Sequence, residues 1–376
     1  MRILIAPDSF KESLSAAEVA KAIKQGFSKV YPQASYDLLP LGDGGEGTLD
    51  SLTQALGLEK YQTEVTGPFG DRICVDYAMR DGLAVFEMAE IVGLASIPLE
   101  KRNPLQVSTR GVGELLVELM QKGANQFFIG IGGSASHDGG IGMAAGLGVK
   151  FYDREGQELE AIGANLGKIA DFSQDDIGID LSSVQIDLVT DVDNLLCGHQ
   201  GATYVFAGQK GLEATKFEQV DREMERFYHL VNPAILTLAG AGAGGGVAAG
   251  LVQFAGARIQ TGINFVLDQL DFDKRVAEAD LVIVGEGRMD AQSLAGKTPI
   301  GVARRTPTGI PIIAICGSLK DDLPDFPVEN ICAAFPIIAE VDDLENTLQK
   351  AEKNLVRTAE QVARILQLGG KLEEFN

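Results

Sequence analysis

A strand, a loop and an amphipathic helix open this chain, and the same alternation returns at its far end. Nothing else in the sequence limits the fold as strongly. Residues 2–6 form a short apolar strand, and Ser15-Ala16-Ala17-Glu18 has the spacing of a capping box that starts a helix running to about residue 30. Residues 36–41 read as a second strand, and a helix is expected to end near Leu56. Strand and helix in succession imply a parallel sheet. After about residue 273 the pattern resumes, with strands at 281–284, 311–315 and 331–335 and a closing helix over 342–368. Between the first and second of these strands, Thr298 as N-cap with Pro299 at the first helical position marks another helix start.

The middle of the chain follows a different rule. Residues 73–79 and 83–89 flank Arg80-Asp81-Gly82 and predict a β-hairpin, so antiparallel pairing begins there. A helix near 111–121, a strand at 126–131 and a strand at 184–189 follow. The economical fold is α/β. A flavodoxin/Rossmann-like parallel-sheet domain is built from both termini, residues 1–62 and 274–376, and a mixed α/β domain, residues 63–273, is inserted between them. Two crossings would join the domains, so a cleft with limited hinge motion is expected.

Composition narrows the function. Of the 376 residues, 45% are hydrophobic, enough to bury sizeable cores. A net charge of -21 repels nucleic acid and anionic membranes, so neither is an expected partner. A small anionic substrate then needs local cations. Cys74, Cys197, Cys316 and Cys332 form no CxxC pair, which fits four reduced thiols in the cytoplasm and neither a zinc site nor a disulfide framework. The uncharged stretch 233–257 is dense in glycine, and we read it as a buried loop and helix rather than a membrane span.

Three turns, Pro7-Asp8-Ser9-Phe10-Lys11, Gly42-Asp43-Gly44-Gly45-Glu46-Gly47 and Gly285-Glu286-Gly287-Arg288-Met289-Asp290, each follow a predicted strand of the terminal domain. Ligands of open parallel sheets bind outside the carboxyl ends of the strands, so the three turns converge on one edge. Their carboxylates suit Mg²⁺ or a proton, and their cations suit phosphate. Residues 291–298 approach a P-loop, but Ala291 replaces its first glycine. Gly130 to Gly140 is a flexible anion-binding candidate carrying Ser134 and Ser136. Gly240, Gly242 and Gly245 match a dinucleotide fingerprint, yet a poor strand precedes them and no acid follows near position 260. His137 next to Asp138 suits either a turn residue or a switchable base. Asp191-Val192-Asp193-Asn194 opens like a calcium loop but lacks its later Gly and Glu, which leaves an acid at a strand end. Arg110, near a helix start, suits a substrate carboxylate.

With these segments and residues 109–114, 239–250 and 285–303, the sequence resembles the bacterial glycerate kinase family of the type that forms 2-phosphoglycerate, over essentially its whole length. It departs from that pattern at His137, Leu195 and His199-Gln200. The resemblance implies a flavodoxin-like domain from both termini, ATP and Mg²⁺ as cosubstrates, and D-glycerate as acceptor. The expected chemistry is in-line phosphoryl transfer, which depends on positioning and charge neutralisation. Asp191 is the expected base, with Asp8 second and Lys11 beside it. Mg²⁺ is expected on two of Asp43, Glu46 and Asp290. Ser9, Lys11, Arg110, Arg288 and Lys297 are expected to bind phosphate or carboxylate, and Gly132, Gly133 and Ser134 to close over one anion. A 3-phosphoglycerate-forming kinase, a hydroxy-acid dehydrogenase and a non-catalytic binder of small acids remain open, as does a homo-oligomer.

Overall fold

The computed structural model describes residues 1–42, 48–291 and 293–373. The chain divides into two compact units, one of Met1–Asp43, Asp50–Leu56 and Gly262–Asn376, the other of Gly44–Leu49 and Gly57–Thr261.

The first unit holds a five-stranded sheet in the order Ile331–Pro336, Ile312–Cys316, Leu281–Gly285, Arg2–Pro7, Ser35–Leu38. Every pair in it is parallel. Numbered along the chain, the order is 2-1-3-4-5, that of flavodoxin-like sheets, and the α/β class expected from the sequence is the one found. The central strands are continuous apolar runs because helices cover both faces. On one face Ile3, Ile5, Ile283 and Ile315 pack with Val19, Ile23 and Phe27 of helix Ala16–Ser28 and with Leu355, Ala359 and Val362 of helix Ala351–Glu373. Ser15 and Glu18 form the expected capping box. Helix Thr298–Arg305 lies against the strands Arg2–Pro7 and Leu281–Gly285, and alternation along a strand assigns it the face of Leu4 and Val284. Its N-cap is Lys297, one residue earlier than expected. The closing helix is broken at Lys350 into Leu344–Gln349 and Ala351–Glu373; the Lys350 ammonium reaches back to Glu340 and Asp342, each at 2.7 Å.

The second unit holds a six-stranded mixed sheet. Arg258–Thr261, Gln185–Thr190, Gln126–Gly130 and Leu83–Glu87 run parallel, and Arg72–Arg80 and Glu59–Thr66 complete the sheet in antiparallel pairs. The expected hairpin is present, but Arg80 belongs to its first strand, so the turn is two residues, Asp81 (φ 52°) and Gly82 (φ 84°). The edge strand Glu59–Thr66 was not expected; apart from Val65 and Thr63 it carries little that a core would bury. Helices Arg110–Gln121 and Ile141–Leu147 touch backbone to backbone: a Cβ on Gly113 would sit 2.1 Å from the Met143 carbonyl, and one on Gly146 would sit 2.2 Å from the Arg110 carbonyl. The glycine-dense stretch forms a 3₁₀ turn, Pro233–Thr237, and the buried helix Val247–Ala255. Among the described residues no strand leads directly into Gly240, where the 3₁₀ turn Pro233–Thr237 stands instead, so the dinucleotide fingerprint lacks its context. No helix among the described residues is long and apolar enough to cross a membrane.

Candidate active site

In the first unit the strand order reverses between Arg2–Pro7 and Leu281–Gly285, and the chain leaves both strands at the same edge. This is where open α/β sheets bind ligands. The Asp8 amide donates to the Gly285 carbonyl at 2.8 Å, which staples the two loops together. Gly287 lies so close that a Cβ there would be 3.2 Å from the Phe10 Cα and 3.3 Å from the Lys11 amide nitrogen. Asp8 accepts from the Ser9 amide (2.6 Å) and from the Thr298 hydroxyl (2.8 Å). That second bond takes the Thr298 hydroxyl away from capping, which accounts for the one-residue shift of the helix start.

Glu286 follows directly on the strand Leu281–Gly285. It is 6% exposed, and its Oε1 is buried without a partner. Burial raises its carboxyl to about 7, against the pull of the Ser293 hydrogen bond and the Lys297 charge, while Asp8 and Asp290 push the same way as burial. Asp290 is held by Arg288 at 3.2 Å and by the Ser293 amide and hydroxyl. Lys11 and Arg288 are exposed and Lys297 is half-buried. The edge thus gathers Asp8, Ser9, Lys11, Arg288, Asp290 and Lys297, all anticipated from the sequence, and adds Glu286 and Thr298. Glu286 stands in its motif, but its burial is a tertiary property that no local pattern carries. Asp43 and Glu46 lie outside the described residues. Among the described residues no group of three or more His, Cys, Asp or Glu is placed to hold a metal ion. Residues 291–298 do not form a P-loop: the short strand Arg288–Met289 and the turn Ser293–Ala295 separate Lys297 from the sheet strand.

In the second unit the strands Gln126–Gly130 and Gln185–Thr190 are neighbours and end together, the Ile131 amide donating to the Val189 carbonyl at 3.2 Å. Their exits carry the loop 131–140 and Asp191, which is exposed. Gly133 is left-handed (φ 70°). Among the described residues the amides of Gly132, Gly133 and Ser134 donate to no protein acceptor. Successive unbonded amides of this kind are a recurring feature of anion-binding concavities.

Behind this loop lies a buried polar network. Asp138, wholly buried, accepts from the Thr109 hydroxyl (2.8 Å), the Thr109 amide (3.1 Å) and the Gly140 amide (2.9 Å). Burial pushes its carboxyl up and these bonds pull it down. His137 Nε2 meets the Thr203 hydroxyl at 3.0 Å, and Nδ1 is buried without a partner. Burial, aided by the charge of Lys210, lowers the ring to about 3, so His137 is neutral near pH 7. Lys210, 4% exposed, donates to the Ser134 hydroxyl (2.9 Å) and the Ser136 carbonyl (2.8 Å). Burial lowers its ammonium to about 7. Thr109, Asp138 and Lys210 were not assigned roles from the sequence. Thr109 meets Asp138 across 29 residues of chain and Lys210 meets Ser134 across 76, beyond the reach of spacing. Arg110 is placed elsewhere in this unit. It pairs with Glu114 at 3.4 Å and lines an open cavity with Thr66, Ser108, Lys150 and Glu160.

A model of the glycerate kinase family matches residues 3–367. The chain belongs to the glycerate kinase family. It is 53% identical to a glycerate kinase of Neisseria meningitidis serogroup B (strain ATCC BAA-335 / MC58), over 98% of this chain and 99% of that one. It is 38% identical to the glycerate 2-kinase of Escherichia coli (strain K12), over 98% and 99%. The crystal structure of glycerate kinase 2 from Salmonella typhimurium LT2 superposes with a TM-score of 0.87 at 40% identity, covering 99% of both chains.

Proposed function

We propose that this protein is a glycerate kinase that transfers the γ-phosphoryl group of ATP to a hydroxyl of D-glycerate, giving 2-phosphoglycerate. The observation that carries the reading is the gathering of Asp8, Glu286 and Asp290 with Lys11, Arg288 and Lys297 at the switch-point edge of a flavodoxin-ordered sheet. Alternating carboxylates and cations at such an edge suit a metal-bound polyphosphate. Membership of the family favours glycerate as acceptor, and the glycerate 2-kinase relative favours the 2-position.

Phosphoryl transfer asks the protein to position two anions and to neutralise their charge. Lys11, Arg288 and Lys297 supply positive charge at the nucleotide phosphates, and the Ser9 hydroxyl adds a donor. The Gly132, Gly133 and Ser134 amides hold one anionic group, and we assign Arg110 a secondary part in drawing the carboxylate in. Asp191 orients the attacking hydroxyl and takes its proton as the oxygen–phosphorus bond forms and the bond to ADP breaks; Asp8 is second in line for this role. Mg²⁺ fits the donor set, because the orphaned Glu286 oxygen beside Asp290 is a hard ligand in need of a cation and Mg²⁺ takes one or two carboxylates with water and phosphate. Asp290 and Glu286, with Asp43 or Glu46, would hold it, and when bound it supplies charge neutralisation at the phosphates. Four unbridged cysteines suit a reducing cytoplasm.

The test is a phosphorus NMR spectrum of the product formed from ATP, Mg²⁺ and D-glycerate. A 2-phosphoglycerate signal with matching ADP is the expected result. A 3-phosphoglycerate signal overturns the position, and no ADP release overturns the activity.

A further inference from the structure

We propose that Lys210 is the cation that makes the Gly132–Ser134 loop attractive to an anion, acting from behind the loop rather than by touching the ligand. The inference rests on reading that loop as an anion site. A buried ammonium is costly unless a carboxylate compensates it. Among the described residues Lys210 has no ion-pair partner; its hydrogen bonds go to two neutral oxygens, those of Ser134 and Ser136. Both belong to the segment that presents the three unpaired amides. The Ser134 hydroxyl accepts from Lys210, so its own proton is left to donate outward.

The surroundings hold this arrangement in place. Lys210 sits in a turn closed by Gly211, whose φ of 100° and close approach to the Arg102 carbonyl leave no room for a side chain. Gly245 backs the loop, where a Cβ would lie 2.2 Å from the Ser136 carbonyl. In a chain of net charge -21, a small anion needs such a local positive field.

Protonation follows from the same geometry. The titratable groups around Lys210 are Asp138, which favours the ammonium, and His137, which is neutral near pH 7. Beyond Asp138 stand Tyr228 and Cys197, both pushed up by burial and uncharged near pH 7. The charge of Asp138 acts on Lys210, so any titration belongs to the pair. The ammonium is present below about pH 7 and is lost above it, whereas the glycerate carboxylate stays ionised throughout. Anion affinity therefore falls as pH rises through 7, and a bound anion draws the proton back on.

The experiment is steady-state ADP release from pH 6 to 9 for wild type, Lys210→Met and Lys210→Arg, with the melting temperature of each. Lys210→Met is expected to raise one KM about tenfold or more at pH 6, with kcat changed much less. An elevated KM for glycerate assigns the loop to the carboxylate, and an elevated KM for ATP assigns it to phosphate. Wild-type KM is expected to climb above pH 7, and the Lys210→Met profile to be flat. Lys210→Arg, charged at every pH, is expected to keep the low KM. Unchanged KM values in a folded Lys210→Met protein overturn the proposal, whatever its kcat. A wild-type KM that is flat across the range overturns it too, even where no variant folds. Should wild type release no glycerate-dependent ADP, the proposed activity fails separately. Calorimetric titration of wild type with D-glycerate and with inorganic phosphate, at pH 6 and 8.5, then tests the loop alone.

Discussion

Single carboxylates carry the sharpest consequences. Asp191 is exposed at a strand end, so Asp191→Asn should leave the melting temperature nearly unchanged and lower kcat by about 10²- to 10⁴-fold, read as glycerate-dependent ADP release. Glu286 makes a different prediction. Its carboxyl rises from an ordinary value near 4.5 to about 7, so the folded chain holds this proton more tightly than the unfolded chain does. Its contribution to stability is therefore present below about pH 4.5 and is lost as pH rises to about 7. Relative to Glu286→Gln, wild type should lose on the order of 3 kcal/mol over that window, measured by urea unfolding at each pH. His137 has the opposite sign, since its neutral ring must charge on unfolding below about pH 6.5. The two slopes offset each other in wild type, and the variant exposes the one that remains. Neither Glu286 nor Lys210 announces its burial in the sequence: Glu286 sits in a glycine-flanked turn, and Lys210 is a single charge beside Gly211. Asp8 was legible at this edge because it follows directly on a strand whose apolar run ends abruptly, Asp290 because it closes the turn after residues 281–285, and Lys297 because it precedes the helix start at Thr298-Pro299.

At the scale of elements, glycine governs the crossing of helices Arg110–Gln121 and Ile141–Leu147. Gly113 and Gly146 let the two backbones meet, and a methyl group on either would overlap a carbonyl of the other helix. Gly146→Ala should cost about 2–3 kcal/mol, seen as a lower urea midpoint with an unchanged m-value. Elements whose signals are local were readable. The capping box at Ser15 and the Asp81-Gly82 turn each fix a geometry by covalent neighbours alone. Elements decided by distant partners were not. Glu59–Thr66 has a charged, exposed outer row and is a strand only because Arg72–Arg80 pairs with it. The break at Lys350 has no glycine or proline to mark it, and the N-cap moved to Lys297 because Asp8 claims the Thr298 hydroxyl.

The whole molecule divides unequally along the chain. The second unit is one continuous stretch from residue 57 to 261 apart from a short segment near Gly47, and it has its own extensive core. A protein of residues 57–261 should therefore unfold cooperatively by itself, with a melting curve that coincides by circular dichroism and by tyrosine fluorescence. Residues 1–56 alone should remain unstructured, because the strand Arg2–Pro7 has its chief neighbour at Leu281–Gly285. That pairing sets a schedule for synthesis. The opening strand leaves the ribosome early and waits for a partner some 280 residues behind it, roughly fifteen to sixty seconds at ordinary rates of elongation. Throughout that delay an apolar ribbon meant for the middle of a sheet has the edge that Leu281–Gly285 will cover left bare. The nascent chain is therefore most prone to capture by chaperones, or by its own neighbours on a polysome, through the strand Arg2–Pro7 rather than through Leu281–Gly285.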